Sequence, residues 1–392
     1  MRNILHKVWR RGRALLPVQG FAFGRPLVLL QSDDWGRVGV RDREGWEELQ
    51  ALGVNLGERS YDFYSLETAD DVAAVVSLLE RHRDSNGRAA CLGMNFIVAN
   101  VDFAKVCANN FRAIHLRALA GGLPDGWNRP GLFEAYRDGI SAGVLSPALH
   151  GTTHFCRPAV ERQLSDPGER GALLRNLWKA GVPYIHWRMP WVGFEYWDSD
   201  PAEQDFLPLG AQQCLIDSAV ENFARFFSRV PRSACAPGYR ANQSTHRAWA
   251  KRGIQIAQNG PGSAMPPHFD RLGILHLYRS LDFEPASGQD FSMDSCLRAA
   301  ENSFAHGLPA IVSIHSINFH STLKDFRSQT IALLDEFLTA LEAKHPDLLY
   351  VRDEDVYDLV DKGTLHSSQS EVRVPVTARK FTVGAVAGGP QA

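Results

Sequence analysis

Residues 26–36, PLVLLQSDDWG, join a run of apolar residues directly to a pair of aspartates. An uninterrupted apolar run bounded by turn residues predicts a strand buried on both faces, as in a parallel sheet. In α/β barrels, side chains at the carboxyl ends of the strands face a common site. This stretch therefore indicates both the fold class and the place to look for functional residues.

Seven further runs of the same kind follow, and helix-period stretches lie between them. The predicted strands are 90–98, 143–150, 233–237, 254–258, 274–280, 310–316 and 348–351, and the predicted helices are 70–83, 213–227, 296–306 and 327–345. Strands that alternate with helices predict a parallel sheet closed by helices. The number of strands is close to the number that a barrel needs.

Composition narrows the classes of partner. The chain has 392 residues, enough for a barrel-sized domain, and 42 basic side chains balance 44 acidic ones. The resulting net charge of -2 gives no reason to expect nucleic acid as a partner. The six cysteines form no CxxC pair, unlike a disulfide framework or a thiolate zinc site, so they are predicted to be reduced thiols.

The chain start is basic and lacks the continuous apolar core of a signal peptide. Because no other stretch is apolar for long enough to cross a bilayer, a cytoplasmic location is expected. Residues 1–16 also place apolar side chains at helical spacing. That pattern leaves two interpretations open, peripheral contact with an anionic membrane and a first helix that is solvated or docked on the core.

The expected domain organisation is a single barrel with additions. The barrel is predicted to span 26–363, after a basic segment at 1–25 and before an extension at 364–392 without helical period. Residues 123–131, LPDGWNRPG, are punctuated by Pro and Gly, and residues 184–204 are aromatic without a clear period. Both are predicted to be insertions over one end of the barrel.

Polar side chains end three of the predicted strands. Asp33 and Asp34 are adjacent at a strand tip and should point in different directions, so that one binds a metal and the other stays free as a base. His150 and His154 are four apart, a spacing that brings two imidazoles to one face of a helical turn. His315 lies in an apolar context, where the alternative is a core histidine bonded to a backbone carbonyl. One Asp and two His form a ligand set suited to zinc, with cobalt, nickel and manganese as other candidates.

In their order along the chain these motifs resemble the polysaccharide deacetylase (NodB-homology) family, with this chain as a divergent member. The matches are Ser32-Asp33-Asp34 for the paired-aspartate motif, His150-Gly-Thr-Thr-His154 for the His-x-x-x-His motif, Ala236-Pro237-Gly238-Tyr239-Arg240 for the proline turn, and Ile314-His315 for the final hydrophobic-x-His motif. The resemblance implies a NodB-like distorted (β/α) barrel of about seven parallel strands.

The resemblance also implies roles for these residues. Asp33 would be the general base and His315 the general acid, whereas Asp34, His150 and His154 would bind one divalent metal ion, with zinc favoured. A metal-bound water, deprotonated by Asp33, would attack an amide or ester carbonyl. His315 would then deliver a proton to the departing amine or alcohol.

The proline turn departs from the family. An arginine usually precedes this proline and supports the base, whereas residues 233–236, SACA, precede Pro237 here. Either Arg240 substitutes for it or the base is oriented differently. A backbone N–H near Tyr239 would stabilise the oxyanion together with the metal.

Candidate substrate contacts lie in the aromatic segment 184–204 and at the second predicted strand. The rings of the segment either stack on sugar faces or form a small core under the loop. These rings are Trp187, Trp191, Phe194, Tyr196 and Trp197. Arg188, Glu195 and Asn95 are candidates for polar contacts with the substrate.

The favoured function is therefore N- or O-deacetylation of a carbohydrate. The alternatives are cleavage of a non-sugar acyl amide on the same barrel, a metal-independent glycosidase that uses Asp33 and another carboxylate, and an inactive carbohydrate-binding relative. The paired histidines argue against the glycosidase. The presence of every proposed catalytic group argues against the inactive relative.

Overall fold

The computed structural model describes residues 17–200, 204–261, 265–366 and 371–382. The basic segment 1–16, for which membrane contact is one interpretation, lies outside the described residues. None of the described helices combines the length and the apolarity needed to cross a bilayer.

Strands and helices alternate along most of the chain. In chain order the strands are β1 Pro17–Phe23, β2 Leu27–Trp35, β3 Leu92–Ile97, β4 Ala99–Val101, β5 Leu116–Ala118, β6 Leu145–Gly151, β7 Trp197–Asp198, β8 Asp205–Phe206, β9 Ser233–Cys235, β10 Ile256–Asn259, β11 His268–Phe269, β12 Leu275–Tyr278, β13 Leu281–Asp282, β14 Ala310–His315, β15 Leu349–Tyr350, β16 Thr364–His366, β17 Glu371–Arg373 and β18 Val376–Thr382. The α-helices are α1 Arg43–Ala51, α2 Ala69–Arg81, α3 Phe103–Ala108, α4 Leu132–Ser141, α5 Arg157–Ser165, α6 Glu169–Lys179, α7 Leu209–Phe227, α8 Gln243–Lys251, α9 Met293–Ala305, α10 Arg327–Lys344 and α11 Asp353–Lys362.

One ten-stranded sheet contains the core strands. Its order is β11-β12-β10-β9-β6-β3-β2-β14-β13, with β15 paired to the start of β2. Every pairing in it is parallel except that of the edge strand β11 with β12. All nine residues of β2 are buried, as expected for a strand with helices on one side and a filled barrel interior on the other. The predicted parallel α/β fold is confirmed.

The chain itself shows that this sheet is curled into a barrel. Between β12 and β13 the order contains seven strand spacings, which in a flat sheet would separate them by about 34 Å. Yet Tyr278 ends β12 and Leu281 begins β13, and three residues of chain reach at most about 11 Å. Arg279 N–H donates to β10 and Ser280 N–H to β14, so the chain crosses the seam between the two edges of the sheet.

Helix α2 illustrates how the sequence sets the outer layer. Thr68 caps its first turn by accepting the N–H of Asp71, whose carboxylate accepts the N–H of Thr68 in return. Such a reciprocal cap satisfies two backbone donors that the helix would otherwise leave unpaired. Val72, Val75 and Leu79 then recur at helical spacing and are buried, which anchors the helix on the sheet.

All eight predicted strands and all four predicted helices are present. The helices that the sequence did not predict are α1, α3, α4, α5, α6, α8 and α11. They have 6 to 11 residues each, whereas the predicted helices have 13 to 19. A short helix repeats its apolar positions too few times to be recognised in the sequence.

The two segments predicted as insertions contain little regular structure. Residues 123–131 have no helix or strand. Within the described part of residues 184–204 there are two 3-10 turns and the short strand β7, which pairs with β8. The extension after residue 363 has more order than expected, because β16 pairs with β17 and β18 pairs antiparallel with β1 along seven residues.

Candidate active site

The tip of β2 carries two buried aspartates, Asp33 and Asp34. The pairing of β2 with β3 shifts register between Ser32 and Trp35, and Asp34 has a left-handed backbone with φ of 75°. This conformation costs a residue other than glycine roughly 1–3 kcal/mol, so contacts around it must hold it. The irregular strand end lets the two carboxylates face different neighbours.

Asp34 faces both histidines of the His-x-x-x-His motif. The Nε2 atoms of His150 and His154 lie 3.7 and 3.4 Å from its Oδ1. His150 belongs to β6, and His154 lies on the loop that follows. The helical turn that their spacing predicted is therefore wrong, because a strand end and a loop bring the two imidazoles together.

These three side chains fit a divalent metal ion. Their ligand atoms all lie within 4.8 Å of one another. Two ligands bound tetrahedrally at zinc distances are about 3.4 Å apart, close to the separations of Oδ1 of Asp34 from the two imidazoles. Oδ1 of Asp34 is buried and accepts no hydrogen bond from any described residue, as expected of an atom that binds a cation. The mixed nitrogen and oxygen ligands suit zinc.

Contacts behind the imidazoles orient them. Nδ1 of His150 lies 2.9 Å from the carbonyl oxygen of Cys235, and Nδ1 of His154 lies 2.7 Å from the hydroxyl of Tyr184. Partners of this kind at the second ring nitrogen fix the ring and direct Nε2 towards a metal.

Arg37 keeps Asp34 ionised. Its Nη2 donates to Oδ2 of Asp34 at 3.1 Å, and its guanidinium lies 3.9 Å from the ring centre of Tyr64. Burial raises the pKa of Asp34, but Arg37 and the two histidines outweigh this effect and hold the pKa well below its usual range.

Asp33 is held from the other side by Arg279, which follows β12. The guanidinium donates from Nη1 to Oδ2 at 2.7 Å and from Nη2 to Oδ1 at 2.6 Å, and Asn95 donates to Oδ1 at 2.7 Å. Burial raises the pKa of Asp33, but Arg279 and the nearby His150 outweigh it and hold the pKa well below its usual range. Asp33 is therefore an oriented, ionised carboxylate. Asn95, predicted as a substrate contact, supports it.

The arginine missing before Pro237 is replaced by Arg279 and not by Arg240. The guanidinium of Arg240 lies 4.7 Å from the ring centre of Trp197, so the substitution predicted for it is wrong. Arg279 lies 246 positions from Asp33 in the sequence. The only signal was a cationic residue near the end of a predicted strand, and it belongs to no recognised motif.

The turn at Tyr239 does not offer the expected oxyanion donor. The N–H groups of Tyr239 and Arg240 donate to the carbonyls of Ala236 and Pro237 at 2.8 and 3.2 Å. The Tyr239 hydroxyl accepts from Arg279 at 2.7 Å. This turn therefore supports the guanidinium, and the oxyanion role predicted for its backbone is not supported by the hydrogen bonds.

His315 ends β14 beside a carboxylate that the sequence analysis did not single out. Its Nδ1 lies 2.7 Å from Oε1 of Glu284, and its Nε2 lies 4.0 Å from Oδ2 of Asp33. Burial lowers the pKa of His315, but Glu284 and the two aspartates raise it more, to about 9. The imidazole is therefore protonated at neutral pH, and it is not the core histidine of the alternative interpretation.

Comparison with known proteins gives remote structural similarity. No family model matches the chain, and no curated protein matches it. Solved structures similar to this chain include proteins named as polysaccharide deacetylases. A protein from Mycobacterium smegmatis named as one shares 14% identity and a TM-score of 0.46 over 88% of this chain and 95% of its own.

Two further solved structures show the range of these neighbours. A protein from Pseudomonas aeruginosa, also named for polysaccharide deacetylation, has 13% identity and a TM-score of 0.42 over 86% of this chain and 91% of its own. A carbohydrate esterase family 4 pseudoenzyme from Bacillus anthracis has 9% identity and a TM-score of 0.36 over 83% of this chain and 63% of its own. Similarity at these identities and TM-scores assigns no role to any residue of the site.

The aromatic segment packs mainly on itself and on the site. Trp191 and Tyr196 are buried, so Trp191 does not present the sugar-stacking face predicted for it. Arg188 is likewise engaged, because it donates to both carboxylate oxygens of Asp62 at 3.0 and 3.1 Å. Burial supports the small-core interpretation for Trp191 and Tyr196, whereas the rings of Trp187, Phe194 and Trp197 are half-buried.

Glu195 is part of this core and braces the metal-ligand loop. Its Oε1 accepts the N–H groups of Thr152 and Thr153 at 2.8 and 3.1 Å. Burial raises the pKa of Glu195 to about 7. It lies behind the loop between His150 and His154, so the predicted substrate contact is replaced by a structural one.

A second group of potential metal ligands, His246, Asp270 and His276, lies near the sheet edge. His276 Nε2 lies 3.4 Å from Oδ2 of Asp270, and its Nδ1 lies 3.3 Å from the amide nitrogen of Asn259. That amide nitrogen also donates to two backbone carbonyls. Nε2 of His276 therefore already has Asp270 as its partner, whereas Nε2 of His246 is buried and has no hydrogen-bond partner among the described residues.

Proposed function

We propose that this chain is a metal-dependent hydrolase that removes acetyl groups from an N- or O-acetylated carbohydrate. The observation that carries the proposal is the unpaired, buried Oδ1 of Asp34 with the Nε2 atoms of His150 and His154 directed at it. The acetylated carbohydrate is inferred from the motif resemblance. The reaction class is inferred from the groups that flank this cluster.

Asp34, His150 and His154 would hold the ion, which supplies Lewis-acid stabilisation of negative charge on oxygen. Asp33 is ionised and oriented, so it can take the proton of the attacking water. The two hydrogen bonds from Arg279 would keep the carboxylate of Asp33 in one orientation during the reaction.

His315 would act as the general acid. An amine or alkoxide leaves readily only when it is protonated, and protonated His315 can supply that proton as the bond to the acyl carbon breaks. Its Nε2 is too far from Asp33, at 4.0 Å, for a direct hydrogen bond. The imidazole is partly exposed, so it can meet a substrate that approaches from solvent.

The metal-independent glycosidase has less support. Such an enzyme needs a carboxylic acid with a raised pKa as proton donor. The pKa values of Asp33 and Asp34 are both held low, because each carboxylate faces its own arginine.

One observation favours the inactive carbohydrate-binding relative as the second candidate. Arg37 lies 3.1 Å from Oδ2 of Asp34 and balances its charge without a metal ion. Metal content separates this candidate from the hydrolase.

The test is the metal content of purified protein by plasma mass spectrometry after dialysis with zinc. We expect about one equivalent in the wild type and little in His150→Ala/His154→Ala. The matched control is His246→Ala/His276→Ala, which removes two histidines from the other cluster and should keep the ion. Equal metal in all three proteins, or none in the wild type, would contradict the proposal.

Activity is measured as release of acetate from acetylated chitooligosaccharides and from 4-nitrophenyl acetate. Chelator should abolish it and zinc restore it. Release of new reducing ends instead of acetate would favour the glycosidase.

A further inference from the structure

A layer of buried polar side chains lies beneath the candidate active site. Its members are Gln31, Asn95, Ser233 and Gln258 on barrel strands, Arg279 directly after β12, and Asp353 at the start of α11. Groups of this kind are costly to bury unless each is hydrogen-bonded. The proposed reaction uses only the contacts that this layer makes with Asp33.

Asp353, the first residue of α11, is the acceptor at the bottom of the layer. Its Oδ1 accepts from Nε2 of Gln31 at 2.7 Å, and its Oδ2 accepts from Nε2 of Gln258 at 2.6 Å. The hydroxyl of Ser233 also donates to Oδ2. Burial raises the pKa of Asp353, although its three hydrogen-bond donors oppose this effect. All three contacts donate to its carboxylate oxygens, so both amides turn their NH2 groups towards Asp353.

The opposite ends of the two amides hold Arg279. Oε1 of Gln31 accepts from Arg279 Nε at 3.1 Å, and Oε1 of Gln258 accepts from Arg279 Nη2 at 3.3 Å. Oε1 of Gln258 also accepts from Asn95 at 2.7 Å. A guanidinium has donors only, so a reversed amide would place its NH2 against Arg279 and Asn95.

We propose that Asp353 is a positioning residue for the candidate general base. By fixing the orientation of Gln31 and Gln258 it presents two carbonyl oxygens to Arg279, and Arg279 in turn holds Asp33 by two hydrogen bonds. The assignment of Asp33 as the base rests on the proposed function. The two-armed network between Asp353 and Arg279 rests only on the contacts above.

The test is Asp353→Asn, which keeps the shape and exchanges one acceptor for a donor. The new NH2 needs an acceptor, so Gln258 has to turn its oxygen towards it and its NH2 towards Arg279. We expect the kcat for 4-nitrophenyl acetate to fall roughly 10- to 100-fold with little change in KM, because small displacements of a reacting group have effects of this size.

A compensating variant separates positioning from general destabilisation. In Asp353→Asn/Gln258→Glu the carboxylate introduced at position 258 accepts from the amide introduced at position 353 and from Arg279. Every donor then has an acceptor again, and kcat should recover. The control is Asp355→Asn on the same helix, which removes ion pairs to Arg88 and Arg352 and should lower stability while leaving kcat unchanged.

A spectroscopic readout keeps the inference independent of turnover. The Nη2–H resonance of Arg279, whose acceptor is Gln258, is assigned with Arg279→Lys; it should shift in Asp353→Asn and return in the double variant. An unshifted resonance, no recovery in the double variant, or an equal loss of kcat in Asp355→Asn would overturn the inference. If the wild type hydrolyses neither probe, the proposed function fails, and the resonance still decides the role of Asp353.

Discussion

Replacing Arg279 by methionine should expose how much of the stability depends on the charge partner of Asp33. Methionine keeps an unbranched apolar stem and removes the guanidinium. The side chains of Arg279 and Asp33 are 0% and 2% exposed, so solvent cannot screen the carboxylate that remains. Removal of one partner from a buried ion pair typically costs about 3–5 kcal/mol. We expect a loss of this size in the free energy of unfolding at about pH 7.5.

The loss should depend on pH with a predictable sign. In the wild type the folded pKa of Asp33 lies below its unfolded value of about 3.9. The pair therefore stabilises the fold fully above about pH 4 and loses this effect as the pH falls towards the folded pKa. Without Arg279 burial remains and raises the folded pKa above the unfolded value. The variant then loses stability as the pH rises, and its deficit should be smaller at about pH 5 than at about pH 7.5.

The measurement is urea unfolding of metal-free protein, followed by tryptophan fluorescence at both pH values. The matched control is Arg240→Met, which removes a guanidinium stacked on Trp197. An equal deficit at both pH values for Arg279→Met would refute the reasoning, because the cost would then come from lost packing.

Two further substitutions test the acid and the metal-ligand loop. Glu284→Gln removes the carboxylate that does most to raise the pKa of His315. The basic limb of the pH–rate profile for acetate release should therefore move to lower pH by about one unit or more. If this limb does not move, another group is the acid. Gly151→Ala would place a Cβ against Oε2 of Glu195 at a φ of 154°, so thermal unfolding should show a loss of about 1–3 kcal/mol and a zinc titration a weaker site. The control Gly210→Ala, whose Cβ would meet nothing within 4 Å, should leave both unchanged.

The sequence predicted those elements of the fold that a local pattern of apolar residues marks. The buried run before Asp33 and the seven runs after it have lengths and compositions that fit only buried strands. The pairing of β1 with β18 was missed because it joins segments more than 350 positions apart. No local period marks such a pairing.

The residues of the candidate site also fall into a predicted group and a missed group. The strand ends grouped the paired aspartates with His150 and His154, and the motif resemblance selected Asp34 as the ligand. The structure brings Asp34 and the two histidines together. Arg279 was missed because its contact with Asp33 forms where the chain crosses the seam. Glu284 was missed because its contact with His315 joins the ends of β13 and β14, 31 positions apart. A contact that depends on curling of the whole sheet leaves no trace in the spacing of neighbouring residues.

The seam between β12 and β13 has a consequence for how this protein can change. At that crossing the guanidinium of Arg279 donates hydrogen bonds to Gln258 of β10 and to Asp33, the candidate base. A substitution of Arg279 would have to preserve both folding and turnover. Laboratory evolution should therefore leave the seam arginine unaltered, whether variants are selected for turnover or for stability.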